Sequence, residues 1–130
     1  MKKFLLTVIV FALVTCGSFS RAAAVDIDLT KMSSTMIYST VYNIVTKPTS
    51  FVGKTMRMRG EYTIYPISAS ETIHACLVRD AAGCCSQGIE FKLTNGKYPT
   101  GASEITVVGT LAVQKIDGKD VCYMKNAVLE

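Results

Sequence analysis

Three observations predict a mainly β domain, a five-stranded barrel preceded by one N-terminal α-helix. Apolar and polar residues alternate through much of residues 55–128, the two longest alternating runs each carry a central glycine, and one earlier stretch has helical spacing. Glycine in mid-strand weakens a flat sheet but lets a strand bend sharply, and two such bends favour a sheet coiled on itself.

The chain opens with Met1-Lys2-Lys3 and an uncharged, mostly apolar run from Phe4 to Val14. A basic start before a short apolar run is an export signal, too short for a transmembrane helix, which needs roughly 20 apolar residues. Two cleavage readings follow. Leu13-Val14-Thr15-Cys16 has the form of a bacterial lipobox, which makes residues 1–15 the signal peptide and Cys16 the lipidated N-terminus. Alternatively, Ala22-Ala23-Ala24 offers ordinary signal peptidase a cut after residue 24. Both place the domain outside the cytoplasm, either lipid-anchored to a cell membrane or outer envelope, or soluble and secreted or periplasmic.

Residues 16–32 read as a tether with a short ordered end at Val25-Asp26-Ile27-Asp28-Leu29, and residues 33–130 as the folded domain. Ser33 or Ser34 caps a helix over Thr35 to Thr46. Ile37, Val41, Ile44 and Val45 recur there at helical spacing, and Met36, Tyr38 and Tyr42 widen the apolar face that packs on the domain. Lys47-Pro48 ends it, because proline disfavours helix in the preceding residue.

In Thr55 to Tyr65, Met56, Met58, Gly60, Tyr62 and Ile64 form the buried face, against Arg57, Arg59, Glu61, Thr63 and Tyr65. Ile105 to Val113 repeats the pattern, with Ile105, Val107, Gly109, Leu111 and Val113 facing inward. Shorter strands fall at Ile73 to Asp80, Gly88 to Leu93 and Asp120 to Val128. Their links are turn-rich, and Asp117-Gly118 favours a hairpin. Five strands, the first long and bent at glycine, fit an oligonucleotide/oligosaccharide-binding (OB) barrel. The usual helix between the third and fourth strands has no room in the polar, proline-broken run Thr94 to Gly101, so the preceding helix substitutes at one barrel end.

The segments Met36 to Asn43, Pro48 to Gly60, Cys84-Cys85-Ser86-Gln87-Gly88-Ile89-Glu90-Phe91 and Ile105 to Thr110 together resemble a family of small bacterial lipoproteins with an OB-like domain. The double-cysteine motif is the distinctive part. The resemblance implies surface anchoring and the fold, and carries no activity with it.

Apart from Cys16, the cysteines are Cys76, Cys84, Cys85 and Cys122. An even number in an exported domain raises disulfides, with three connectivities open. Buried free thiols and a thiolate metal site with His74 are the alternatives, the latter suiting zinc or copper. A thiol redox or nucleophilic role is the last reading, weakened because His74 is the single histidine available as a base. No cofactor is firmly predicted beyond that possible zinc or copper. Paired carboxylates, phosphate loops and triads are lacking, so the expectation is a binding module rather than an enzyme. Its expected face comprises Arg57, Arg59, Tyr65, Gln87, Glu90 and Lys92, although alternating charges also suit a merely solvated strand. Arg79-Asp80 reads as a solvated pair.

With Lys2, Lys3 and, at the later cut, Arg21 removed, 11 of the 14 basic residues face 10 acidic ones. That near-neutral balance argues against nucleic acid as a partner. The expected partners are the membrane, through a lipid on Cys16, and an envelope protein, peptide or glycan.

Overall fold

Methionine and aromatic side chains on alternate positions need a face to bury, and they find it in a mixed six-stranded sheet. The computed structural model describes residues 24–130; the expected signal peptide, the expected lipobox with Cys16 and the first part of the expected tether lie outside them. The strands are β1 (Ile27–Asp28), β2 (Thr55–Pro66), β3 (Thr72–Arg79), β4 (Ser86–Leu93), β5 (Glu104–Ile116) and β6 (Lys119–Leu129). The helix α1 (Ser34–Thr46) lies between β1 and β2, and short 3-10 turns at Leu29–Lys31 and Pro48–Phe51 flank it.

Two expectations are corrected here. Among the described residues there are six strands rather than five, and α1 follows the first strand instead of preceding them all. The extra strand is the short ordered end of the tether. It pairs in parallel with β2, Ile27 beside Met56, and Leu29 after it enters the core at 1% exposure.

Antiparallel pairings join β2 to β3, β3 to β4, β5 to β6 and β2 to β5, while β4 and β6 run parallel. The sequence of partners β2–β3–β4–β6–β5 therefore returns to β2, and each of these five strands has a neighbour on both sides. The core between them contains Met56, Met58, Tyr62, Cys76, Ile89, Phe91, Val107, Leu111 and Met124, with Val41 and Ile44 contributed by α1.

Local rules account for the element ends. Ser33 is the N-cap of α1, its hydroxyl accepting from the Met36 amide at 3.4 Å. Asp117 and Gly118 both have positive φ, 50° and 76°, which suits the tight β5–β6 hairpin. At the two central glycines the reason is close approach. A Cβ on Gly60 would run into the Leu77 carbonyl oxygen and lie 3.0 Å from Cys76 Sγ, and one on Gly109 would lie 3.0 Å from Met124 Cβ.

The alternation fails at the strand ends. Ile64 is exposed, because β2 has by then run past the core. In β5 both Leu111 and Ala112 are buried and Val113 is only half-buried. On α1 the inward face is narrower than expected: Met36 and Tyr42 are exposed, and Val45 marginally so.

Candidate functional site

On the outer face of β3 and β4 the Leu77 side chain occupies the space that a Cβ on Gly88 would take. Ala75, Leu77 and Gly88 form the floor of a groove of about 340 Å³. Tyr65 and Ile73 wall it where β2 turns into β3, and Ile116 and Val121 wall it from the β5–β6 hairpin. Tyr65 and Ile116 are 47% and 41% exposed, so apolar surface meets solvent on two sides of the concavity.

One charged group reaches the floor. Glu90 accepts a hydrogen bond from Gln114 Nε2 at 2.6 Å, and Lys92 Nζ lies 3.7 Å from its other oxygen. Lys92 also donates to Gln114 Oε1 at 3.1 Å and sits 4.7 Å from the centre of the Tyr123 ring. Glu90, one of the residues of the expected face, is thus held half-buried in a polar cluster at the groove.

The expected binding face divides. Tyr65, Gln87 and Glu90 line this one groove and Lys92 borders it. Arg57 and Arg59 lie on a different surface and are engaged there. Arg57 bridges Asp28 at 2.8 Å and Glu130 at 2.9 Å, and Arg59 donates to Glu104 at 2.7 Å. Ile73, Gln114, Ile116 and Val121 were missed; their signal was position at the ends of the β2–β3 and β5–β6 connections, where strands project beyond the core.

The second cluster is the turn between β3 and β4. Asp80 Oδ1 accepts from the backbone amides of Cys84 and Cys85 at 3.0 and 3.3 Å, and Cys84 Sγ donates to Oδ2 at 3.3 Å. The two sulfurs lie 3.7 Å apart on exposed residues. Gly83, with φ 73°, lets the chain reverse inside this ring of contacts. Arg79 and Asp80 do not form the expected pair: Arg79 bridges Glu61 at 2.8 Å while Asp80 organises the turn. The backbone bond from Cys85, first among several to this carboxylate, holds Asp80 below its ordinary range. Hydrogen bonding to that carboxylate, and then to Cys85, raises Cys84. The sequence signal for Asp80 was an aspartate at the start of a glycine-containing turn, where a short acidic side chain can accept from nearby backbone amides.

Cys76, Cys122 and His74 stand apart from this turn. Cys76 is wholly buried, and burial pushes its thiol up to about 12. Cys122 is buried on β6, raised to about 11 for the same reason. All four thiols are unbridged. His74 is stacked on Tyr98 with ring centres 3.5 Å apart, and its Nδ1 lies 2.7 Å from the Tyr62 hydroxyl. Burial lowers its pKa, opposed by the Glu90 charge. Among the described residues, Asp80, Cys84 and Cys85 form the group with metal-ligand spacing, all ligand atoms within 4.8 Å of one another.

No family model, no curated protein and no solved structure matches this chain.

Proposed function

We propose that this chain is an exported, lipid-anchored binding module with an OB-type barrel, which holds an extended peptide or glycan in the groove over β3 and β4. The observation that carries the reading is the strand order. Three antiparallel neighbours, a parallel β4–β6 pairing and a return from β5 to β2 are the connections expected of a five-stranded OB barrel. Such barrels bind on the face of their second and third strands, between the first and last hairpin connections. Here those are β3, β4, the end of β2 and the β5–β6 hairpin, the same elements that line the groove.

The groove's chemistry narrows the ligand. Apolar walls with an exposed tyrosine suit sugar faces or peptide side chains, and Glu90 supplies a hydrogen-bond acceptor or a partner for a cation. A carboxylate on the floor repels phosphate, which argues against nucleic acid. Export and anchoring through Cys16 come from the N-terminal sequence and give the module an envelope location. A thiol enzyme is disfavoured by the carboxylate beside Cys84, which opposes the thiolate such chemistry needs.

The test is titration of the protein with N-acetylglucosamine oligomers and with a mixed-sequence peptide library, read by amide chemical shifts. The expected perturbations centre on Tyr65, Leu77, Gly88 and Glu90, and Tyr65→Ala weakens binding by at least about tenfold. Binding that maps to other residues and ignores both Tyr65→Ala and Ile116→Ser rejects the groove.

A further inference from the structure

We propose that the β3–β4 turn is a zinc site whose protein ligands are Cys84 Sγ, Cys85 Sγ and one carboxylate oxygen of Asp80. Neighbouring residues in an extended strand point to opposite faces, so adjacent cysteines ordinarily cannot serve one ion. This turn removes the obstacle. Both sulfurs lie on one side of it, 3.7 Å apart, with Asp80 Oδ2 3.3 Å from Cys84 Sγ. Tetrahedral zinc, with Zn–S near 2.3 Å and Zn–O near 2.1 Å, holds two thiolates about 3.8 Å apart and a thiolate and a carboxylate oxygen about 3.6 Å apart. The two spacings that involve Cys84 match those of a loaded site to within a few tenths of an ångström, and the third, from Cys85 Sγ to the carboxylate, lies within 4.8 Å.

The donors are also held in place by the backbone. Asp80 Oδ1 is occupied by the amides of Cys84 and Cys85, which fixes the carboxylate and turns Oδ2 toward the sulfurs. The Asp80 amide donates to the Cys85 carbonyl at 3.0 Å and the Gly83 amide to the Asp80 carbonyl at 3.0 Å, closing the loop from both ends. Pre-ordered ligands spare the ion the cost of organising the chain.

Ligand type selects the metal. Two thiolates exclude calcium and magnesium, which take oxygen, and the carboxylate makes the set harder than copper(I) prefers. Each zinc ion displaces the two thiol protons to solvent and meets Asp80 as a carboxylate. Water completes the fourth position, since both cysteines lie on the exposed side of the turn. The metal needs no change of oxidation state. Cys76, Cys122 and His74 are not ligands in this arrangement. The inference is independent of what the groove binds.

Full-length protein reduced with a phosphine and dialysed against zinc is expected to retain one ion per chain and to release two protons for each ion bound. Cobalt(II) in its place gives the charge-transfer absorption of a thiolate complex. Cys84→Ser and Cys85→Ser each abolish that absorption, Asp80→Asn weakens zinc binding by at least about tenfold, and Cys122→Ala and His74→Phe leave both unchanged. The two serine variants lie on an exposed turn, and thermal melts check that they fold. Retention of zinc by both serine variants overturns the site. Equal loss in the Cys122 or His74 variant overturns the ligand assignment, and a reduced protein that takes up no zinc overturns the proposal outright.

Discussion

At the scale of single residues, burial decides what Cys76, Cys122 and His74 can do. Cys76 has an ordinary thiol value of 9.0 and a folded one of about 12, so the folded state holds its proton more tightly than the unfolded chain does. Its contribution to stability is complete below pH 9 and is lost as pH rises toward 12. Alkylation at neutral pH is therefore expected to label Cys84 and Cys85 in the metal-free native protein, with Cys76 and Cys122 reacting only after denaturant is added; mass spectrometry of the two samples checks this. His74 behaves in the opposite sense. Its folded pKa is lowered from 6.5, so the unfolded chain takes up its proton first and stability falls as pH drops below that value. His74→Phe keeps a ring against Tyr98, and thermal melts between pH 7 and pH 5 are expected to lose that slope. The sequence singled out His74 and all four thiols as chemically notable. It could not say which shared a neighbourhood, because that depends on whether a side chain enters the core or stays in a turn.

Among the elements, α1 and the five long strands were legible because their signals are local: a serine cap, a helical spacing ended by Pro48, and runs of alternation broken by Asp117-Gly118. The inward phase of β2 was legible as far as Tyr62, and failed at Ile64 because no second layer covers the end of that strand. The breadth of the α1 contact was overestimated for a related reason. Met36 and Tyr42 are as apolar as residues that pack, but the helix meets the sheet along a narrow line. Gly60 carries the clearest element-level prediction. Gly60→Ala drives a methyl group into the Leu77 carbonyl, which is backbone and cannot swing aside, so unfolding by urea is expected to show a loss of about 2 kcal/mol or more.

For the whole molecule, the ends of the described chain are tied to β2 through one side chain. Arg57 joins Asp28 near the start to Glu130 at the end, and hydrogen bonding to Glu130 first, then Asp28, raises its pKa. Arg57→Gln is expected to speed amide exchange in β1 and at the end of β6, with a smaller difference from the parent protein in high salt. Sequence placed Arg57 on a binding face because it alternates outward; only the fold brought two carboxylates from distant positions to it. The same division runs through the protein. Alternation, helical spacing and turn residues are properties of neighbouring positions, and by themselves they determined the mainly β class, the helix and the approximate positions of the five long strands. Tertiary structure decided that β5 returns to β2, that Tyr65 and Ile116 wall one groove, and that Asp80 rather than Cys76 faces the paired sulfurs of Cys84 and Cys85. Those outcomes depend on strand register and on the direction of a turn, which the core selects by burying one set of side chains and which no short stretch of sequence encodes.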